Sequence, residues 1–147
     1  MQTRWLDEEQ QIAWRSLLQM SVTLKIGLDA DLARFGIDLS DYEILVLLSE
    51  SADGQIRMSD LAERSWMTKS RLTYKIDKLV ADGSIERVDC DTDKRGAFAR
   101  ITSEGRALLD KIAPEHVESV RQRVVDRLDR DEFLALGALS RRVVAED

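Results

Sequence analysis

The stretch Ser59-Asp60-Leu61-Ala62-Glu63-Arg64-Ser65-Trp66-Met67-Thr68-Lys69-Ser70-Arg71-Leu72-Thr73-Tyr74-Lys75-Ile76-Asp77-Lys78-Leu79-Val80-Ala81-Asp82-Gly83 carries two helix starts separated by a short turn. Ser59 can cap a short helix over residues 60–66, with Leu61 and Ala62 inward, because a hydroxyl at that position satisfies an amide that has no partner inside the helix. Thr68 can cap a longer one over 69–82, and Gly83 closes it. At about 100° per residue, Leu72, Ile76, Leu79 and Val80 cluster on one side of this second helix. Ser70, Arg71, Tyr74 and Lys78 fall on the opposite side, with Lys69, Thr73 and Lys75 on the flanks. Cations, hydroxyls and one aromatic on an exposed helix face suit a reader of the DNA major groove. Arg bonds guanine bidentately, while Ser, Thr and Tyr reach base edges or phosphate oxygens. The helix N-terminus adds partial positive charge for a phosphate. Asp77 lies near this face and counts against the reading. By charge alone an ordinary solvated helix face looks the same, so the neighbouring segments decide.

After Gly83 the period changes. Ile85-Glu86-Arg87-Val88-Asp89 interleaves apolar and charged residues as a half-buried strand does, and Ala97-Phe98-Ala99-Arg100-Ile101 does so less strongly. The polar loop 90–96 between them makes the pair a β-hairpin. Upstream, Ile12, Leu17, Leu18, Met20, Leu24, Leu28, Leu32 and Phe35 recur at three- and four-residue steps, predicting a helix over 11–35 that Gly36 caps. Ser40-Asp41-Tyr42-Glu43 matches a capping box and starts a helix with Tyr42, Ile44, Leu45 and Leu48 inward; residues 51–54 end it. Downstream, Thr102-Ser103-Glu104-Gly105 opens a helix running through Leu108, Leu109, Ile112, Val117, Val120, Val124 and Leu128, which Pro114 is expected to kink or break. Asp129-Arg130-Asp131-Glu132 starts a last helix with Phe133, Leu136, Leu139 and Val143 as its stripe.

The expected fold is therefore mainly α with a small antiparallel β-hairpin. Residues 39–102 have the layout of a winged helix-turn-helix lobe, flanked by helical extensions at 5–36 and 103–145 in a single unit. Amphipathic extensions of that length cannot bury their stripes on a module of about 60 residues, so pairing with a second copy is expected.

The 147 residues contain one cysteine and one histidine, which excludes a disulfide framework, a multi-cysteine zinc site and histidine-rich metal chemistry. No cofactor is expected. No G-x-S-x-G, P-loop or G-x-G-x-x-G pattern occurs, and the carboxylates are spread along helix faces, so an enzyme is not expected. The longest apolar runs, such as 44–48, fall far short of the ~20 residues that span a membrane. The acidic first residues do not resemble a secretory signal, so a cytoplasmic protein is expected. The net charge of -6 argues against indiscriminate coating of nucleic acid. Its distribution is uneven, with ten Lys/Arg against eight Asp/Glu over residues 57–100 and twelve against twenty elsewhere. Screening over roughly 8–10 Å makes the local balance count at a contact surface.

The sequence Arg57-Met58-Ser59-Asp60-Leu61-Ala62, then Met67-Thr68-Lys69-Ser70-Arg71-Leu72-Thr73, then Asp77-Lys78-Leu79 and Gly83, resembles MarR-family transcriptional regulators. Asp91-Thr92-Asp93-Lys94-Arg95-Gly96, followed by Ile101-Thr102-Ser103-Glu104-Gly105, is similar to that family's D-x-R wing and the L-T-x-x-G segment after it. The resemblance covers nearly the whole chain, since the terminal helices stand where the family has its dimerisation helices. It implies a homodimeric, sequence-specific DNA-binding regulator, usually a repressor on a pseudo-palindromic operator and often released by a small ligand. Carried onto this sequence, Ser70, Arg71, Thr73 and Tyr74 would meet the major groove, with Lys69, Lys75 and Lys78 beside them. Lys94 and Arg95 would serve the wing, Arg95 entering the minor groove and Asp93 holding the loop's shape. A guanidinium is attracted to the negative potential of a narrow minor groove. Tyr74 stands where the family often has a basic residue, and Lys94 where arginine is usual.

The same resemblance places Trp14 and Trp66, with Leu17 and Met20, where a small apolar or aromatic effector would bind between the dimerisation helices and the DNA-binding lobe. Core packing is the competing expectation for each of them. Cys90 at the base of the wing is expected to be an unreactive thiol, since Asp89 and Asp91 disfavour its thiolate. His116 is expected at an interface or on the surface. The alternative function is a dimeric winged-helix scaffold that binds protein without specific DNA binding; salt-sensitive binding of duplex DNA separates the two.

Overall fold

The structure, a computed structural model, describes residues 2–89 and 97–145. Along the chain lie α1 (Glu8–Leu32), α2 (Leu39–Ser49), β1 (Gln55–Arg57), α3 (Met58–Arg64), α4 (Lys69–Ala81), β2 (Ile85–Asp89), β3 (Ala97–Ile101), α5 (Ser103–Arg123) and α6 (Arg130–Val144). Single 3-10 turns at Ala33–Phe35, Ala52–Gly54 and Val125–Arg127 join some of them. The fold is mainly α with a small antiparallel sheet, as the sequence predicts. The sheet has one more strand than the expected hairpin. Its order is β1-β3-β2, and β1 pairs Ile56 with Ala99. Three residues are too few to show a period, which is why β1 is silent in the sequence.

Several helix starts differ from the sequence reading. Helix α1 begins three residues early because Asp7 and Gln10 form a capping box, each side chain accepting the other's backbone N–H at 2.8 and 3.1 Å. Helix α2 is capped by Asp38 rather than Ser40. The Asp38 carboxylate accepts the Asp41 N–H at 2.9 Å and the Asp41 carboxylate accepts the Asp38 N–H at 3.0 Å. Asp29 of α1 takes the next amide, Leu39, at 2.9 Å, and the Tyr42 N–H donates to the Asp38 carbonyl at 3.0 Å, so Ser40 lies inside the first turn rather than at its cap. Helix α3 starts at Met58 directly out of β1, with no side-chain cap, so Ser59 lies inside the first turn. Pro114 does not break α5, which is continuous from Ser103 to Arg123. Both Pro114 and Asp110, whose carbonyl loses its helical donor, are exposed, and water can satisfy that oxygen. The predicted caps at Thr68, Thr102 and Asp129 hold.

The core lies inside the winged lobe and reaches the ends of α1 and α5. Leu32, Ile44, Leu45, Leu48, Leu61, Leu72, Ile76, Leu79, Ile85 and Ile112 are fully buried. Ile85 pairs with Ile101 in the core, whereas Val88 pairs with Phe98 on the other face of the sheet, so β2 buries only one end. Val80, expected inward, is exposed: on the helical wheel it stands about 80° from Leu72, at the edge of the buried stripe.

Helix α3 ends in a Schellman motif, with Met67 N–H donating to Ala62 and Trp66 N–H to Glu63. The left-handed residue of that motif is Trp66 (φ 53), where glycine is usual; its side chain is 88% exposed. Gly83 (φ 81) closes α4 in the same way, through Ser84 to Leu79 and Gly83 to Val80. Beyond it, Thr102 ties the start of α5 to this turn. Its N–H donates to the Ser84 carbonyl at 3.0 Å and its hydroxyl to the Gly83 carbonyl at 2.6 Å.

Candidate nucleic-acid interface

Helices α3 and α4 and the turn at Trp66 form a helix-turn-helix whose second helix presents Lys69, Ser70, Arg71, Thr73 and Tyr74 to solvent. Thr68 caps it by accepting the Arg71 N–H at 3.3 Å, leaving other first-turn amides pointing outward at the positive end of the helix. Among the described residues the side chains of Lys69 and Arg71 make no ion pair, so their charge is available to a ligand. The Thr73 hydroxyl donates to the Lys69 carbonyl at 2.9 Å and so has lone pairs to offer. Asp77, the acidic neighbour that counted against this face, is neutralised by Arg87 of β2 at 2.7 Å.

Two of the expected contacts are placed otherwise. Lys75, expected on the flank, is 7% exposed, and its ammonium bonds the Asp38 carboxylate and lies 3.2 Å from Asp41 Oδ1. The wheel puts position 75 on the flank, about 40° beyond Leu79 and as far from the stripe as the exposed Val80, so it is the two carboxylates brought by the start of α2 that draw this side chain inward. Lys78, expected on the outer side, is half-buried and donates to Asp41 at 2.9 Å and to the Gly36 carbonyl at 3.0 Å. Burial alone would raise the Asp38 carboxyl, but the Lys75 hydrogen bond and the Asp41 amide hold it below its ordinary 3.8. Burial would likewise lower Lys75, yet Asp38 and Asp41 raise it above its ordinary 10.5. The wing residues Cys90, Asp93, Lys94 and Arg95 lie outside the described residues.

A groove of about 240 Å³ opens between α2, the Trp66 turn and α5, lined by Leu39, Tyr42, Val46, Leu47, Trp66 and His116, with Glu43 at its edge. The His116 ring lies 4.2 Å from that of Tyr42, and its buried Nδ1 has no hydrogen-bond partner. Burial lowers the imidazole below its ordinary value and raises the Glu43 carboxyl above its own, so both lean toward neutrality. Of the four expected pocket residues, only Trp66 lines this groove. Trp14 and Leu17 are exposed on α1 and Met20 is half-buried there, so core packing does not account for the two tryptophans within one chain. Tyr42, Glu43 and His116 are functional candidates that the sequence reading missed. His116 and Tyr42 are 74 residues apart, and no local spacing joins them.

A helix-turn-helix with a free cationic face, braced by a three-stranded sheet, defines a winged helix-turn-helix protein. Comparison with known proteins gives the family. Residues 35–96 match the MarR family. AbsC, a MarR-family transcriptional regulator from Streptomyces coelicolor, is 40% identical, with 96% of this chain and 95% of that one superposed at a TM-score of 0.91. Sco3205, a MarR-family regulator from the same organism crystallised in complex with DNA, is also 40% identical, covering 97% and 89% of the two chains at a TM-score of 0.94. The transcriptional repressor YetL of Bacillus subtilis is 30% identical over 105 residues, 71% of this chain but only 63% of its own length. The chain belongs to the MarR family. Among its described residues no helix is long and apolar enough to cross a membrane, and no group of three acidic, histidine or cysteine side chains is placed to hold a metal.

Proposed function

We propose that this protein is a transcriptional regulator that binds duplex DNA sequence-specifically as a homodimer, repressing from a pseudo-palindromic operator. The observation that carries the reading is the outward row Lys69, Ser70, Arg71, Thr73 and Tyr74 on helix α4, whose two cations, Lys69 and Arg71, form no ion pair among the described residues. The likeness to Sco3205, itself crystallised with DNA, supports it. Pairing of two copies is supported by the apolar side chains left on the terminal helices: Ile12, Leu18, Val22 and Ile26 on α1 and Leu139 and Val143 on α6 are all exposed. Covering them against a second copy is the symmetric solution, and would set two recognition helices roughly one DNA turn, about 10 bp, apart. Lys94 and Arg95 are proposed as wing contacts to the adjacent minor groove, with Asp93 shaping the loop.

The test is a titration of the protein with duplex DNA from its own upstream region across a range of salt. Binding should weaken steeply as salt rises, because phosphate contacts release counterions. Arg71→Ala should cost about 1–3 kcal/mol and relax preference at one operator position. Affinity that ignores salt, or equal binding to every duplex, would remove the DNA reading in favour of a protein-binding scaffold.

The aromatic groove between α2 and α5 suits a small apolar or aromatic effector, since Tyr42 and Trp66 offer ring faces and His116 offers a desolvated, unpartnered nitrogen. Trp66→Ala should abolish release of DNA by any aromatic compound that releases the parent; unchanged release would place the effector elsewhere.

A further inference from the structure

We infer that Lys75 is a positioning residue rather than a DNA contact, and that the cluster Asp38, Asp41, Lys75 and Lys78 fixes the rotation of the recognition helix against the α1–α2 corner. This rests on the DNA-binding reading above. Two carboxylates stand at the N-terminus of α2, where the helix dipole favours them, and both belong to its capping box. Asp41 is fully buried, and its Oδ1 accepts no hydrogen bond; the nearest cation to that oxygen is the Lys75 ammonium at 3.2 Å. Its Oδ2 receives Lys78 at 2.9 Å and the Asp38 N–H at 3.0 Å. If Lys75 swung out to a phosphate, it would leave a buried carboxylate facing no cation on one side, which is among the costliest changes a folded protein can make. The corner is held from behind as well. Asp29 of α1 accepts the Leu39 N–H at 2.9 Å and receives Lys25 at 2.5 Å, so α1, α2 and α4 meet in one continuous polar junction.

Lys75 and Lys78 sit one turn apart on the same flank of α4 and grip different oxygens of the same corner. Together they oppose rolling of the helix about its axis. With a helix diameter of 10–12 Å including side chains, a roll of about 20° would carry Arg71 and Tyr74 by roughly 2 Å. Hydrogen bonds to base edges tolerate only a few tenths of an ångström, whereas contacts to the phosphate backbone are more forgiving. The cluster therefore governs discrimination between sequences rather than general attraction to DNA. The lowered carboxyl of Asp38 and the raised ammonium of Lys75 agree with both being charged in the folded state.

The experiment compares parent, Lys75→Met and Asp38→Asn on two probes: the best duplex of about 20 bp selected by the parent from a random library, and a scrambled duplex of equal length. Folding is checked by circular dichroism. For Lys75→Met the expected result is a loss of tenfold or more on the selected duplex, less than twofold on the scrambled one, and an unchanged dependence of affinity on salt. A phosphate-binding Lys75 would instead weaken both probes equally and reduce the salt slope by about one ion. Asp38→Asn keeps a competent helix cap while releasing one partner of Lys75, so it remains informative even if Lys75→Met fails to fold. Weaker binding to the selected duplex at constant slope supports the inference. Tighter binding with a steeper slope overturns it, because a freed ammonium would then be joining the DNA. A parent that binds neither probe overturns the DNA-binding reading itself, and this inference with it.

Discussion

Replacing Gly105 with alanine should loosen the joint between the recognition helix and α5. Gly105 is the third residue of α5, where its N–H donates to the Thr102 hydroxyl at 3.0 Å. A Cβ built on it would stand 2.2 Å from the Ser84 carbonyl oxygen and 2.8 Å from Ile101 Cγ1. Neither neighbour can move aside easily. The Ser84 oxygen is backbone, held by the Thr102 N–H at 3.0 Å, and Ile101 is buried in the sheet. The start of α5 must therefore back away from the Gly83–Ser84 turn, stretching both Thr102 bonds. Overpacking costs about 1–3 kcal/mol, and each weakened hydrogen bond up to about 1 kcal/mol. Alanine's better helix propensity returns close to 1 kcal/mol. The net loss is centred on about 2 kcal/mol, a fall in Tm of roughly 6 °C for a chain of this size. Thermal unfolding followed by circular dichroism at fixed protein concentration measures it, with Ser103→Ala, an exposed neighbour, as a control within about 0.5 kcal/mol of the parent. A Gly105→Ala variant as stable as that control would refute the claim that this glycine is required by backbone contact.

Two further outcomes are expected. Val22→Asp combined with Ile26→Asp should give monomers by analytical ultracentrifugation at micromolar concentration. Burying each of these side chains is worth about 1.5–3 kcal/mol, and a symmetric dimer would bury four, so association should weaken by more than 10³-fold; a dimer that survives would move the interface off this face of α1. His116 should make stability depend on pH. Its folded value lies below its ordinary 6.5, so on acidification through 6.5 the unfolded chain takes up a proton that the native chain does not, and stability falls as pH drops. Glu43, raised above 4.5 in the same groove, acts with the opposite sign at lower pH, so the readout is the difference between parent and His116→Phe. That difference should appear in denaturant titrations as the pH falls below 6.5, and a variant with the parent's slope would show that His116 is not desolvated.

The helix-turn-helix, the hairpin and the outward row of α4 are legible in the chain because each is written in local terms. A cap, a glycine and an apolar step of three or four lie within a few residues of one another, and hydrophobic burial then leaves Ser70, Arg71 and Tyr74 one side to occupy. Even the later start of α2 in the sequence reading was a local misjudgement between two good caps, settled by Asp29 from another helix taking the Leu39 amide. Tertiary structure alone decided what Lys75 does. Its wheel position lies on the flank of the buried stripe, and a charge goes inward only where carboxylates wait for it; Asp38 and Asp41 stand 37 and 34 residues away. The same holds for the groove of Tyr42, Trp66 and His116, and for Gly105, whose need for a missing side chain comes from a carbonyl brought by the end of another helix. Pairings across such separations depend on how the helices cross, which local periodicity does not encode.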